Sequence, residues 1–383
     1  MALDGETLSQ LLDTVARFVD ERLRPIEAAV DAEDRVPDAV VEEMKRLGLF
    51  GLTIPEAYGG LGLDTREEVS VATVLGRTSP AFRSVFGTNI GIGSQGLVID
   101  GTEEQKRRYL PPMAAGELIG SFCLTEPEAG SDAGSLRTAA QPDGNGYVLN
   151  GTKRYITNAP RADLFTVMAR TDPDRPGARG VSAFIVEADT PGIRLGKAEK
   201  KMGQKGAHVC DVIFEDCKVP GDALIGGVEG QGFKTAMKVL DRGRLHISAV
   251  CVGMAKRLIE ESLNYARERK QFGKPIADFQ LVQAMLADSE TEAAAAEALV
   301  RDAAQRRDAG EPVTKLAAMC KYFASEMVGR VADRAVQIHG GAGYIADYAV
   351  ERFYRDVRLF RLYEGTSQIQ QLIIAREMLK GAA

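Results

Sequence analysis

The chain sets one acid, Glu364, apart in the segment Arg361-Leu-Tyr-Glu-Gly-Thr-Ser-Gln-Ile-Gln-Gln-Leu-Ile-Ile-Ala-Arg376. A glycine and small polar residues follow it, and Ile369, Leu372, Ile373 and Met378 then recur at helical spacing. A carboxylate at such a junction can be held in a cleft while the helix behind it packs, which makes it a candidate for proton chemistry. Taken alone, the same acid also reads as a solvated residue that the helix macrodipole favours. A second candidate is Phe122-Cys-Leu-Thr-Glu-Pro-Glu-Ala-Gly-Ser-Asp132. A strand end turning through Glu-Pro and Ala-Gly-Ser offers backbone N–H groups and a hydroxyl that can cradle a polar ring or a phosphate. An ordinary strand-to-turn transition has the same composition. Tyr155 and Thr157, two apart, fall on one face of a strand. Arg267-Glu-Arg-Lys-Gln-Phe-Gly-Lys-Pro-Ile-Ala-Asp-Phe-Gln280 clusters cations before a helix break, as a solvated helix end also does. Arg83 stands among apolar residues, where an arginine needs an acidic partner.

These residues are distributed over three textures. Positions 1–118 read as helical: Leu8, Leu11, Leu12, Val15 and Phe18 form one face, and Pro25 ends or bends that helix. Val40, Met44 and Leu47 repeat the pattern, and further helices start at Arg66 and Gly101, the last ending at Pro111-Pro112. Positions 119–225 change to short strands. Asp143-Gly144, Asn145-Gly146 and Asn150-Gly151 are turn dipeptides around Tyr147-Val-Leu, with further strands at Leu164–Ala169, Val181–Val186 and Val212–Phe214. Positions 226–383 return to long helices. One ends near Phe272-Gly273, one spans about 278–310, one starts at Pro312 and ends at His339, and Thr366–Lys380 closes a four-helix bundle. The Gly226–Gly232 loop follows no strand–helix unit and is not a dinucleotide fingerprint. The expected fold is therefore α+β, with an N-terminal helical domain, a central β module and a C-terminal bundle.

Composition narrows the function. The 48 basic and 54 acidic residues are spread along all 383 positions, with no basic tract for nucleic acid. No apolar run approaches the roughly 20 residues needed to span a bilayer. Five scattered cysteines without CxxC spacing point to reduced thiols in a cytoplasm-like compartment, with a mature mitochondrial matrix form also compatible. The acidic N-terminus lacks a targeting pattern. Three histidines, none at ligand spacing, argue against a metal site.

The Glu364 segment closely resembles the catalytic segment of the acyl-CoA dehydrogenase family, and other motifs match that family in order along essentially the whole chain. The resemblance implies the three-part fold with a β-barrel-like middle domain and FAD as cofactor. It makes Glu364 the base that removes the α-proton of an acyl-CoA thioester, with electrons passed to an electron-transfer flavoprotein. It implies flavin contacts from Phe122, Leu124, Thr125, Gly130, Ser131, Tyr155, Ile156 and Thr157, with Ser131 also toward the CoA. Arg269, Gln271, Phe272, Phe279, Gln280, Gln337, Gly340 and Gly341 would reach the FAD of a neighbouring subunit in a homotetramer, and Thr366 and Gln368 would also contact cofactor. Asp241, Arg244, Tyr363, Gly365 and Arg83 would meet substrate. His339 is read as a packed or surface residue. The chain departs from the family pattern at Glu128, where a Gly or Asn-like residue is common, and at Tyr155, where many members carry Trp. Gly243 occupies the position where some members place the base, so Glu364 has no competitor. Arg83 falls where glutaryl-CoA dehydrogenases look to have an arginine for a distal carboxylate. A structural salt bridge or an exposed side chain is the alternative role. Gly91, Gly93 and Gly96 nearby can leave room for an acyl tail or serve helix packing. An acyl-CoA oxidase and a catalytically silent flavin- and acyl-CoA-binding protein are the remaining functional alternatives.

Overall fold

The computed structural model describes residues 3–175 and 177–380. Its N-terminal helices begin where the sequence supplies caps. Asp64 and Glu67 form a capping box for Thr65–Leu75, and Ser79 with Pro80 opens Pro80–Ile90. Thr102 and Gln105 cap Glu103–Ala115 in the same way. That helix does not end at Pro111-Pro112. Tyr109, Leu110, Met113 and Ala114 bury one face through the prolines, and left-handed Gly116 stops it. Pro25 likewise bends rather than ends its helix. A π turn over Val19–Leu23 leads through a 3-10 turn at Arg24–Ile26 into Glu27–Glu33.

The middle region is one curled seven-stranded sheet. Gly120–Cys123 pairs in parallel with Leu164–Arg170, which also pairs antiparallel with Val181–Glu187 and, at Arg170, in parallel with Ala139–Asp143. The two long strands Gly146–Thr157 and Val209–Pro220 run antiparallel, with register shifts at Leu149/Gly151 and Lys153/Ile156. The expected Asn150-Gly151 turn is therefore a bulge inside a strand. A Cβ at Gly151 would lie 2.5 Å from the Thr138 hydroxyl, so glycine there permits a close strand crossing. The second bulge places Tyr155 at φ 57.

The C-terminal helices are Gly232–Glu268, Gln280–Asp308, Thr314–His339 and Ser367–Lys380. A further helix, Ala349–Val357, was not expected. It buries Val350, Phe353 and Val357 against the bundle, three apolar positions within a charged segment. The Thr65–Leu75 and Gly232–Glu268 helices meet almost backbone to backbone. A Cβ at Gly253 would stand 2.0 Å from the Thr73 carbonyl oxygen. This contact carries Glu68 to the flank of His246, and thereby ties the N-terminal helices to the site.

Candidate active site

Glu364 sits in the loop between the Arg358–Arg361 turn and the Ser367–Lys380 helix. Its φ of 53 is left-handed, a conformation costing a side-chain-bearing residue on the order of 1–3 kcal/mol. Surrounding bonds over-determine it. Gln370 Nε2 donates to the carbonyls of Glu364 and Gly365, each at 3.1 Å, and Lys321 Nζ donates to Gly365 O at 2.7 Å. Ser367 donates to Glu326 at 2.6 Å, fixing the start of the following helix. The carboxylate points at Gly243, where a Cβ would be 2.5 Å from Oε2. That oxygen is buried and has no hydrogen-bond partner among the described residues. It is a proton acceptor left free.

Burial raises the pKa of Glu364, against the opposing pull of Arg83, Lys321 and Arg244, while Glu68 adds to the rise. The same burial lowers Lys321 to about 8, with Cys251 and Glu364 pulling the other way. Tyr363 is pushed well above the usual tyrosine value by burial.

Glu364, Tyr363, Gly365, Arg83 and Arg244 all line one cavity of about 660 Å³, a size typical of ligand sites. Phe122, Leu124, Thr125, Gly130, Ser131, Tyr155, Ile156 and Thr157 line its other wall. Asp241 lies outside that lining. It accepts from Arg244 at 2.5 Å and from Thr314 at 2.7 Å, and so holds the arginine that does line it. The direct partner of Arg83 is not an acid: its Nε donates to His246 Nε2 at 2.8 Å.

The wall made by 122–131 is stiffened from beneath by a pair that sequence reasoning missed. Lys153, fully buried, donates to Glu126 at 2.8 Å and to Leu124 O at 3.2 Å. Glu126 in turn accepts from the backbone N–H of Arg137 at 2.6 Å and of Thr138 at 2.9 Å. Burial lowers the Lys153 pKa, and the ion pair with Glu126 opposes that fall. Above this support the wall is open. A Cβ at Gly130 would meet nothing within 4 Å, and Tyr155 is 59% exposed.

The remaining expected contacts are elsewhere. Arg269, Gln271, Phe272 and Gln280 are exposed around a two-residue hairpin, Lys270–Gln271 with Lys274–Pro275. Phe272, at φ 50, is 93% exposed and meets Phe279 edge-on. Gln337, Gly340 and Gly341 are exposed at the end of Thr314–His339. His339 is buried and stacked on Tyr265. Thr366 is half-buried and donates no side-chain bond to the cavity, while its Oγ1 accepts from Ile369 N at 3.2 Å; Gln368 is exposed. Within one chain, then, this second group does not reach the cavity.

Three family models match the chain: the N-terminal domain of acyl-CoA dehydrogenase at residues 5–117, the middle domain at 121–217 and the C-terminal domain at 230–379. The chain belongs to the acyl-CoA dehydrogenase family. Members of this family are FAD-dependent oxidoreductases acting on CH–CH bonds. The chain is 45% identical over 374 residues to acryloyl-CoA reductase (NADH) of Anaerotignum propionicum, covering 97% of this chain and 94% of that one. A solved chain from work on the electron transferring flavoprotein of Acidaminococcus fermentans superposes with a TM-score of 0.95 at 39% identity, covering 99% and 100%. A glutaryl-coenzyme A dehydrogenase solved with glutaryl-CoA superposes at 0.93 and 34% identity, covering 99% and 96%. The open Gly130 surface, the exposed Tyr155 ring and the braced 122–131 loop fit a flat, polar-edged cofactor such as FAD. No helix among the described residues is long and apolar enough to cross a membrane.

Proposed function

We propose that this chain oxidises an acyl-CoA thioester to its trans-2-enoyl-CoA, with Glu364 as the base and an electron-transfer flavoprotein as electron acceptor. The buried, partnerless Oε2 of Glu364 at the cavity wall carries this reading. The α-proton of a thioester is too weakly acidic for a carboxylate in water. Burial narrows that gap from the acid's side by raising the Glu364 pKa, and an apolar acyl chain that expels water narrows it further. The Glu364 backbone N–H would be the chain's own donor for the developing enolate oxygen. FAD, when bound, supplies the acceptor for the β-hydride. Phe122–Ser131 and Tyr155–Thr157 would hold it against the cavity. The same residues serve the reverse direction, since a protonated Glu364 returns its proton to the α-carbon; a relative named as a reductase fits this reversibility.

The exposed apolar group Phe272, Leu281, Tyr344 and Ile345 supports a homotetramer in which Arg269–Gln280 and Gln337–Gly341 complete the FAD site of a neighbouring copy. Five free, buried cysteines fit a reducing compartment such as the cytoplasm. Adding acyl-CoA to the flavoprotein tests the reading directly. Bleaching of the flavin without peroxide supports it, peroxide marks an oxidase, and no bleaching marks a silent binder.

Arg83 favours a second reading of the substrate, an anionic acyl group such as a dicarboxylic one. The side chain lines the acyl cavity, and no hydrogen bond is made by its terminal nitrogens among the described residues. Glutaryl-CoA should then bleach the flavin faster than pentanoyl-CoA, with Arg83→Met shrinking the preference about tenfold or more. A straight-chain preference unchanged in that variant excludes it.

A further inference from the structure

A buried polar chain links four helices beneath the acyl cavity. Arg242 donates to Gln95 at 3.1 Å and to Glu68 at 2.6 Å. The other Glu68 oxygen lies 3.0 Å from His246 Nδ1, and His246 Nε2 lies 2.8 Å from Arg83 Nε. The direction of these bonds is forced. A guanidinium only donates, so His246 Nε2 must accept. The imidazole proton therefore sits on Nδ1 and is donated to Glu68. An imidazolium would turn an N–H toward the N–H of Arg83, so this histidine can be neutral only. Burial and the Arg83 charge lower its pKa accordingly, against the pull of Glu68.

The same chain aims Arg83. Its guanidinium lies across Gly87, where a Cβ would stand 2.8 Å from Nε and 2.9 Å from Cζ. With Nε tied to His246, the two terminal nitrogens are left for the cavity that also holds Glu364. An arginine serving only as a structural cross-tie would spend that terminal fork on protein acceptors.

We propose that Glu68 and His246 are positioning residues for the reaction: the Glu68-anchored imidazole acts as a fixed acceptor that pins Arg83 as a stationary cation beside Glu364. This rests on Glu364 being the base. Of the charges facing Glu364, Arg83 lowers its pKa most, ahead of Lys321 and Arg244, with Glu68 opposed; Tyr363 and Cys251 also adjoin it. The groups facing His246 are Glu68, Arg83 and Arg242. If Arg83 is released, the Glu364 pKa rises, and the base is protonated over more of the acid range.

The chain has only three histidines, so the tautomer can be read directly in the holoenzyme by ¹⁵N NMR of labelled imidazoles, with His246→Gln giving the assignment. His246 should remain the neutral Nδ1–H form at every pH of the bleaching profile. An imidazolium, or the Nε2–H tautomer, overturns the proposal. The second measurement is the pH profile of flavin bleaching by saturating pentanoyl-CoA. In His246→Phe the rate should fall about tenfold for each unit that the acid limb moves up, and match wild type at high pH. His246→Gln, whose amide oxygen can still accept from Arg83, should move the limb back. An equal loss at every pH, or no rescue by glutamine, means a structural role only and overturns the proposal. If pentanoyl-CoA does not bleach the wild-type flavin, the dehydrogenase reading itself fails, and the tautomer measurement still decides the role of His246.

Discussion

The surroundings of Glu364 and the Phe272 edge are built on opposite plans. Around Glu364 the polar groups that hold its loop come from helices far apart in the chain and find their partners within it: Lys321 to Gly365, Gln370 to both loop carbonyls, Arg244 to Asp241. At the Phe272 edge the chain turns a 93% exposed phenylalanine outward, and Leu281 at 82% and Tyr344 at 85% are likewise left in water. A region that satisfies itself can do proton chemistry alone. A region that leaves large apolar side chains in water is unfinished until something covers it. On the reading proposed above, the contrast separates two halves of the reaction site: the base would belong to one chain, and the far end of the cofactor would be shared.

Four substitutions sharpen or break that contrast. The largest effect is expected from Glu364→Gln. Stopped-flow bleaching should slow by about 10³–10⁴-fold, with FAD content and acyl-CoA binding retained. Rapid bleaching in that variant would place the base elsewhere. Gly243→Ala puts a methyl 2.5 Å from Oε2 of Glu364. It should displace the carboxylate and cost about 100-fold in rate, with little change in Tm. A wild-type rate there would show that the carboxylate does not depend on this space. Phe272→Asp attacks the other region. Sedimentation velocity should show tetramers giving way to smaller, FAD-depleted species, at a cost of about 2 kcal/mol in association. If the protein is a monomer with full FAD before any substitution, the shared-site half of the comparison is lost.

Lys321 gives the smallest and most selective test. Its folded pKa of about 8 lies below the usual 10.5, because burial disfavours the charged form. The unfolded chain therefore binds more protons than the folded one between those two values. Stability should rise with pH from about 8 to 10.5, by an amount on the order of 3 kcal/mol or less, and level off beyond. The difference in denaturant midpoint between wild type and Lys321→Met, followed across that window, isolates the contribution. A flat difference would mean that Lys321 keeps an ordinary pKa.

What the sequence disclosed depended on distance along the chain. Glu364, the 122–131 loop and the Tyr155–Thr157 strand end are contiguous stretches; their residue types alone also fit ordinary turns and helix starts, and it was the family resemblance, carried by such short runs, that singled them out. Glu68 and His246 are 178 positions apart, and Lys153 on the Gly146–Thr157 strand meets Glu126 in the loop after Gly120–Cys123. Neither pairing has a local signature, because each partner looks like an ordinary helix, strand or loop residue until the fold brings them together. The helical and sheet textures were legible from periodicity, but their interruptions were not. Pro111-Pro112 stayed inside a helix because the buried residues around them outweighed two missing donors. Asn150-Gly151 became a bulge because the sheet needed a close crossing there, which a turn dipeptide also resembles.

Gly243 also bears on how such a site can change over generations. The space before Oε2 of Glu364 is the space a side chain at position 243 would fill. The loop and the helix therefore compete for one volume, and a lineage can carry its acid on either but not comfortably on both. Moving it requires two substitutions, and either order passes through a descendant that is crowded or has no acid at all. An ancestor could cross that gap only while selection on the reaction was relaxed or a duplicate gene covered the loss, so the address of the acid should be inherited far more faithfully than the shape of the acyl cavity around it.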